Sequence, residues 1–190
     1  MAFELGSLPF DCLEIWNGPM RESNLRAVGL WQSLLAAGRK LPCVGGSDFH
    51  RAGLFQFVGG PTTCVYADSN GPSDILAGLR QGRAYITYAP DGPGLALSAG
   101  EAILGGSVPW PEVRELKVTA EGLQAGDVVR VVTGRGSAVL LRAAEAGRCE
   151  LVWEVDGPGF ARVEILRVFL AGLPPLPALI SNPIYFDGTV

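Results

Sequence analysis

Asp48 and His50 are the residues of this 190-residue chain whose types and spacing could do chemistry. They stand one residue apart in the segment VGGSDFH, residues 44–50, and His50 is the only histidine. A carboxylate and an imidazole are common metal ligands, and a hydrolytic site uses such groups to hold a metal that activates water. Catalytic zinc usually has about three protein ligands, so the pair supplies part of a site. The alternative is an ordinary turn, in which Asp48 accepts a backbone N–H and His50 lies on the surface.

The residues before this pair predict where it lies. Lys40–Val44 is typical of a strand, and it leads into two glycines. Alternate residues of an extended chain point the same way, so the side chains at positions 48 and 50 should converge. They would do so at the carboxyl end of the strand, where α/β folds place their catalytic groups.

Three other residues could contact a substrate near this end. Glu14 and Asn17 lie at the end of a strand-like segment, residues 11–16, and could face the same mouth of the barrel. A turn after Asn17 with a solvated Glu14 explains both residues without a functional role. Arg51 could bind a phosphate oxygen pair as a fork, or it could be a surface charge. Residues 59–62, GGPT, favour a plain turn over a phosphate loop, because no strand–glycine–helix order follows. No catalytic residue is assigned.

Residues 1–83 alternate strands and helices. A helix is predicted over residues 22–37, with one apolar face and Gly38 after its end. A second helix is predicted over residues 74–81, capped by Ser73. A strand over residues 62–67 lies between them, and this β-α-β-β-α order indicates an α/β layer or barrel. The apolar face of the first helix comprises Leu25, Val28, Trp31 and Leu35.

Residues 84–190 show no helical pattern and are predicted to form a second domain. Strand-like segments recur at the spacing of a β-sandwich. The fold class is therefore α/β plus β, with an antiparallel sandwich of about seven strands. Its strands are expected at residues 85–88, 95–98, 115–120, 128–133, 138–143, 150–155 and 161–169. The four tryptophans, at positions 16, 31, 110 and 153, are expected to pack in or beside a core.

The composition excludes several classes of protein. The chain is 48% hydrophobic and 18% charged, which can fill a core and argues against disorder. A net charge of -4 disfavours a broad nucleic-acid surface. There is no run of about 18 apolar residues and no leader pattern, so we expect no membrane partner and a cytoplasmic location. The four cysteines form no C-x-x-C pair and are expected to be free thiols.

Five segments in a fixed order resemble the carboxyl-terminal part of the PHP (polymerase and histidinol phosphatase) superfamily. The similarity covers about residues 10–90 and is greatest for the stand-alone metal-dependent phosphoesterases, the branch with carbaryl-hydrolase-like proteins. Residues 181–188, SNPIYFDG, also resemble the end of those proteins. The five segments are FDCLEIWNGP, the helix with W..LL..GRK, GSDFHR, GGPTTCVYAD and DILAGLRQGRAYIT.

The resemblance implies a distorted β/α barrel that binds up to three divalent metal ions, often zinc, manganese or iron. Asp48 and His50 match the two ligands of the family's last motif, G-S-D-x-H. The family's early H-x-H motif and its other histidines are absent, so the chain resembles only the late strands and helices of the barrel. The resemblance implies that the parent protein hydrolyses phosphate esters, of small molecules or nucleotides, through metal-activated water. Hydrolysis of an amide or carbamate by the same water is the alternative that the sequence leaves open.

The missing histidines leave two hypotheses. The chain is part of such a phosphoesterase, inactive by itself and not necessarily metal-bound; alternatively, it is a non-catalytic β-sandwich module for binding or assembly. A partial barrel exposes strand edges and an apolar sheet face, so we also expect a homo-oligomer.

Overall fold

Residues 10–53 and 56–188 are described by the structure, a computed structural model. This part of the chain is mostly β and contains two helices and fourteen strands. In chain order these are β1 (Leu13–Asn17), α1 (Glu22–Ala36), β2 (Cys43–Gly46), β3 (Thr62–Val65), α2 (Pro72–Arg80), β4 (Ala84–Thr87), β5 (Gly94–Ala99), β6 (Ala102–Ile103), β7 (Ser107–Trp110), β8 (Glu115–Leu123), β9 (Val128–Thr133), β10 (Gly136–Arg142), β11 (Gly147–Glu154), β12 (Gly159–Arg167), β13 (Leu176–Ser181) and β14 (Ile184–Gly188).

Two packed sheets form most of the molecule. The larger sheet has the order β10-β9-β12-β13-β4-β3, with β14 pairing the first residues of β12 and β7 pairing β14 in parallel. The smaller sheet has the order β11-β8-β5-β6. Apart from β7 and β14, neighbouring strands in both sheets are antiparallel. All seven strands expected from the sequence are present, so the prediction of a β-sandwich is confirmed.

Four further strands, β6, β7, β13 and β14, are not predicted by the sequence pattern. The prolines at positions 174, 175 and 177 obscure β13, since proline removes a backbone donor from a sheet. In the structure Pro177 lies opposite Leu166, where the pairing of β12 and β13 shifts register. A bulge tolerates the missing N–H there, because the regular ladder is already interrupted.

One parallel βαβ unit precedes the sandwich. β1 and β2 pair in parallel, and α1 connects them. β3 and β4, which flank α2, pair antiparallel instead and lie in the larger sheet of the sandwich. Hydrogen bonds therefore cross the boundary at residue 84, although the division into two domains stays a prediction. The resemblance implies the late strands of a β/α barrel. The described residues show one βαβ unit there, and they do not show a partial barrel.

The two helices lie close to their predicted positions, with two corrections. In α1, Trp31 and Leu35 are buried, but Leu25 is 44% exposed, so the apolar face predicted from the sequence is not covered at its amino-terminal end. α2 begins at Pro72 after Gly71 and has no side-chain cap, so the expected cap by Ser73 is wrong. Proline is favoured at the first helical position because its missing N–H would be unpaired there anyway.

The larger sheet is covered on both faces. One face packs against the smaller sheet through an apolar core that includes Leu116, Val163 and Leu179. The other face packs against the βαβ unit through a second core that includes Ile15 and Trp31. The molecule thus has three layers, and strands β12 and β13 are buried along most of their length.

Polar side chains attach α1 to the larger sheet. The Gln32 side chain accepts hydrogen bonds from Arg162 Nε and Nη2, at 3.1 and 3.0 Å, and donates one to Thr133 O at 2.7 Å. The Arg162 guanidinium also lies 5.0 Å from the centre of the Trp31 ring. A buried arginine is stable only when its charge and donors are paired, so these contacts determine where α1 sits.

Asn182 attaches β2 to the same sheet. Its side chain accepts a 2.7 Å hydrogen bond from Cys43 N and donates to Cys43 O and Ala84 O, at 3.0 and 2.9 Å. The residue is fully buried, so water cannot replace these bonds. Asn182 therefore holds β2, and with it the segment that carries Asp48 and His50, against β4.

We expect Asn182→Ala to lower the free energy of unfolding by about 2–4 kcal/mol, because it removes the buried acceptor of Cys43 N, a hydrogen bond to Cys43 O and one of the two hydrogen bonds to Ala84 O. Urea titration followed by circular dichroism measures the loss. Asn70→Ala is the matched control, since Asn70 is exposed and should cost less than about 0.5 kcal/mol. Equal losses in the two variants would contradict the role given to Asn182.

Candidate functional site

Glu14 and Asn17 lie at the carboxyl end of β1, beside the carboxyl end of β2. Asn17 Nδ2 donates a 3.2 Å hydrogen bond to Glu14 Oε2, and Gly18 N donates a 2.9 Å bond to Gly46 O. A Cβ added to Gly46 would lie 3.2 Å from Glu14 Oε1, so the carboxylate stands beside the last residue of β2. The structure therefore places both residues beside the carboxyl end of β2, from which residues 47–50, the candidate ligand segment, continue.

Asn24 positions the turn that follows Asn17. Its side chain accepts a 3.2 Å hydrogen bond from Asn17 N and donates to Asn17 O and Pro19 O, at 3.0 and 3.1 Å. The residue is buried in the first turns of α1, where an asparagine shows no sequence pattern that predicts this role. Sequence reasoning misses it because its partners are defined only by the path of the turn.

Gly45 explains one of the two glycines that precede the ligand pair. A Cβ at this position would lie 2.7 Å from Ile86 Cγ2 and 2.9 Å from Trp16 O, so only glycine fits between β1 and β4. Thr63 Oγ1 accepts a 2.9 Å hydrogen bond from Gly45 N and donates a 2.6 Å bond to Gly45 O. Glycine is therefore required at position 45 because other parts of the protein lie close to its backbone. The approach of a substrate is not needed to explain it.

Asp48 and His50 converge, but in a turn and not in an extended segment. β2 ends at Gly46, and Asp48 has a φ of 44°, in the left-handed region that aspartate tolerates better than most residues. His50 Nδ1 lies 3.7 Å from Asp48 Oδ1 and 2.6 Å from Asp48 O. The side chains are 58% and 78% exposed for Asp48 and His50 respectively. The extended geometry expected from the sequence is wrong, whereas the convergence of the two groups is observed.

The contact with Asp48 O determines which nitrogen of His50 is free. A carbonyl oxygen can only accept a hydrogen bond, so the tautomer that fits this 2.6 Å contact carries its proton on Nδ1. The neutral imidazole then presents the lone pair of Nε2 to solvent. Metal-binding histidines are commonly held in this way, with one ring nitrogen donating to a carbonyl and the other available to the metal.

The donor types of this pair fit a divalent metal, but the pair does not form a complete site. Across residues 10–53 and 56–188, no group of three or more His, Cys, Asp or Glu side chains could hold a metal ion. Catalytic zinc needs about three protein ligands. Asp48 and His50 can therefore serve as two ligands, and a full coordination shell requires donors from outside the described part of this chain.

The other residues singled out from the sequence are Arg51, residues 59–62 and the four tryptophans. Arg51 is exposed and forms no hydrogen bond or ion pair with other described residues. Residues 58–61 form a turn that leads into β3, and Thr62 Oγ1 donates to Gly59 O. The segment is a turn as interpreted from the sequence, except that Thr62 begins the strand. Trp16 and Trp31 are buried, and Trp110 and Trp153 pack against the sandwich core, as expected.

An apolar cavity of about 300 Å³ opens beside the same end of β1. Its walls include Trp16, Gly18, Tyr88, Phe169 and Leu173. The ring centres of Tyr88 and Phe169 are 5.0 Å apart in an edge-to-face arrangement. Gly18 belongs both to this cavity and to the turn bonded to β2, so the cavity adjoins the candidate ligand segment. Small organic molecules bind in cavities of this size and character.

No protein-family model, curated protein or solved structure matches this chain. The expected relation to PHP proteins therefore stays a prediction from the ordered sequence motifs. Neither of the helices in the described residues is long and apolar enough to cross a membrane.

Proposed function

We propose that this chain is the carboxyl-terminal part of a PHP-type metal-dependent phosphoesterase and that Asp48 and His50 supply two of its metal ligands. The observation that carries the proposal is the geometry of this pair at the carboxyl end of β2. The two side chains converge in solvent, and the Nδ1 contact with Asp48 O leaves Nε2 of His50 available. A bound zinc, manganese or iron ion would supply a Lewis acid for the hydrolysis of a phosphate ester.

Residues around the pair have separate parts in this proposal. The guanidinium of Arg51 is exposed one residue after His50, where it can bind two oxygens of a phosphate group. Glu14 and Asn17 hold each other at the neighbouring strand end and can orient a substrate or a ligand. The apolar cavity beside Gly18 can receive the organic part of the ester.

The proposal also implies that the chain alone is a poor catalyst. Two protein ligands do not hold a catalytic metal in a fixed geometry, so the other ligands must come from outside the described residues. We expect no robust hydrolysis of 4-nitrophenyl phosphate by the purified chain with zinc or manganese. Strong metal-dependent turnover by the chain alone would contradict this part of the proposal.

Zinc titration of the ¹⁵N-labelled chain tests the ligand role directly, because His50 is the only histidine and gives one set of imidazole signals. Without metal, we expect the neutral ring to carry its proton on Nδ1. Added zinc should shift the Nε2 resonance with saturation. Asp48→Asn should weaken this binding roughly tenfold or more, because it removes the neighbouring charged ligand.

Asp68→Asn is the matched control, since Asp68 is also an exposed aspartate but lies outside the pair. It should leave the zinc affinity of His50 unchanged. If zinc does not perturb the imidazole, or if both asparagine variants weaken binding equally, the pair is not a metal half-site. The hypothesis of a non-catalytic sandwich module would then be favoured.

A further inference from the structure

A second cleft, of about 300 Å³, lies at the opposite end of the βαβ unit. Lys40 and Pro42, which precede β2, form one wall, and residues 80–83 after α2 form another. The turn between β6 and β7 and the link between β13 and β14 complete it. The cleft is thus at the amino end of β2, whereas Asp48 and His50 follow its carboxyl end. Four strand residues separate the two regions, about 13 Å at 3.3 Å per residue.

The cleft is lined by positive charges, whereas the whole chain has a net negative charge. The chain has 15 basic and 19 acidic residues. Among the described residues that line the cleft, Lys40, Arg80 and Arg83 are basic and none is acidic. A concave surface lined by one sign of charge attracts ligands of the opposite sign.

The donors of these three side chains are only partly used. Arg80 Nε lies 3.2 Å from Asp11 Oδ2, and Lys40 Nζ lies 2.8 Å from Asp187 Oδ2. Both pairs are more than 45% exposed, so they bind weakly in water. Arg83 forms no ion pair or side-chain hydrogen bond with other described residues. The Arg83 guanidinium and the terminal nitrogens of Arg80 therefore remain available to an anion.

The carboxyl end of α2 does not require these guanidinium groups. Ala77 O, Gly78 O and Leu79 O accept hydrogen bonds from the backbone N–H groups of residues 81, 83 and 82, at 3.0, 2.9 and 3.0 Å. The last carbonyls of a helix need such partners, and here the backbone provides them. The two arginines are thus left for another role.

The base of the cleft is free of bulky side chains. Gly105 has a φ of 79°, and a Cβ there would lie 1.8 Å from Gln81 O, so no other residue fits. Tyr185 closes the remaining side, with Lys40 Nζ 5.1 Å from its ring centre. Burial raises the pKa of the Tyr185 hydroxyl, so this ring stays neutral and adds no negative charge.

We propose that this cleft binds a small molecule through an oxyanion group, a phosphate or a carboxylate, held by Arg83, Arg80 and Lys40. Guanidinium groups bind either oxyanion through paired N–H donors, and the ammonium adds a point charge. The site is separate from Asp48 and His50, and its occupancy does not depend on a metal.

The test uses the whole chain, ¹⁵N-labelled, with inorganic phosphate and succinate titrated in separate arms at constant ionic strength. We expect at least one anion to shift the amide signals of Gly82, Gly105 and Gly106 with saturation. The arm that binds more tightly identifies phosphate or carboxylate as the recognised group. Arg83→Gln should weaken that binding roughly tenfold, since it removes one charge-assisted contact.

Two variants distinguish binding in this cleft from a general charge effect and from binding beside His50. Arg142→Gln removes an equal charge from β10, at the far edge of the larger sheet, and should leave binding unchanged. Arg51→Gln should also leave it unchanged, whereas phosphate bound beside His50 would be lost in that variant. The proposal is overturned if neither anion shifts the glycine signals, if Arg83→Gln binds normally, or if Arg142→Gln weakens binding as much.

Discussion

Replacing Asp127 by asparagine is expected to lower the free energy of unfolding by about 3–5 kcal/mol. Asp127 is 1% exposed and forms a two-pronged ion pair with Arg167, with Nε to Oδ1 at 2.9 Å and Nη2 to Oδ2 at 2.7 Å. Asp127 Oδ2 also accepts a 2.8 Å bond from Gln124 N. In the variant an NH₂ group replaces one of the two oxygens, and the buried guanidinium loses its counter-charge.

Asp156→Asn is the matched control for this prediction. Asp156 lies 3.5 Å from Arg135 in an ion pair whose side chains are 79% and 61% exposed. Exposed pairs contribute less than about 1 kcal/mol, because water screens both charges. Urea titrations of the two variants should therefore differ several-fold in their effect. A loss below about 1 kcal/mol in Asp127→Asn would mean that water enters the pair when the charge is removed.

Much of the fold can be predicted from the sequence because its cores follow regular patterns. The seven sandwich strands alternate buried and exposed residues or form short apolar runs, as in β8 and β9. The βαβ unit is equally visible from the turn at Asn17 and from the helix that ends before Gly38. Strand β13 cannot be predicted in this way, because Pro177 is unusual in a strand. In the structure a bulge tolerates this proline, and the strand is buried along most of its length.

The buried charges cannot be predicted in the same way. Arg162, Glu164 and Arg167 stand in one strand, where alternation would place the even-numbered pair towards solvent. Arg162 and Glu164 are buried because α1 covers that face of the larger sheet, and the path of α1 depends on contacts between distant parts of the chain. Arg167 is buried in its ion pair with Asp127. The pattern of a strand gives its two faces but not whether a second layer covers them.

The two candidate sites also differ in how far the sequence predicts them. Asp48 and His50 are separated by one residue, so their types and spacing are enough to single out the pair, although the turn that brings them together is not predicted. The cleft lined by Lys40, Arg80 and Arg83 brings together four segments, residues 40 and 42, 80–83, 105–106, and 182, 183 and 185. No local pattern connects them, and only the three-layer packing shows that Lys40 and Arg83 line one cavity.

Glu164→Gln is the second substitution with a large expected effect, a loss of about 3–5 kcal/mol in the free energy of unfolding at neutral pH. The carboxylate is 3% exposed and lies between Arg162 and Arg130, with Arg130 Nε 2.8 Å from Glu164 Oε2. Burial alone would raise the pKa of Glu164, but the two guanidinium groups outweigh it and lower that pKa below its ordinary value. The variant leaves both guanidinium groups without their shared counter-charge.

The loss should depend on pH in a direction that the lowered pKa determines. A carboxyl group with a lower pKa in the folded state stabilises the protein above its unfolded pKa, about 4.3, and this contribution disappears as pH falls through the folded pKa. The difference in unfolding free energy between the native chain and Glu164→Gln should therefore be constant from pH 7 to about pH 5 and shrink in more acidic solution. Urea titrations across this range measure it.

Glu150→Gln, at a glutamate that is 70% exposed beside Arg148, should show a small difference at every pH. If the difference for Glu164→Gln stays constant down to about pH 3, folding does not lower the pKa of Glu164, and the two guanidinium groups do not outweigh the cost of burying the carboxylate.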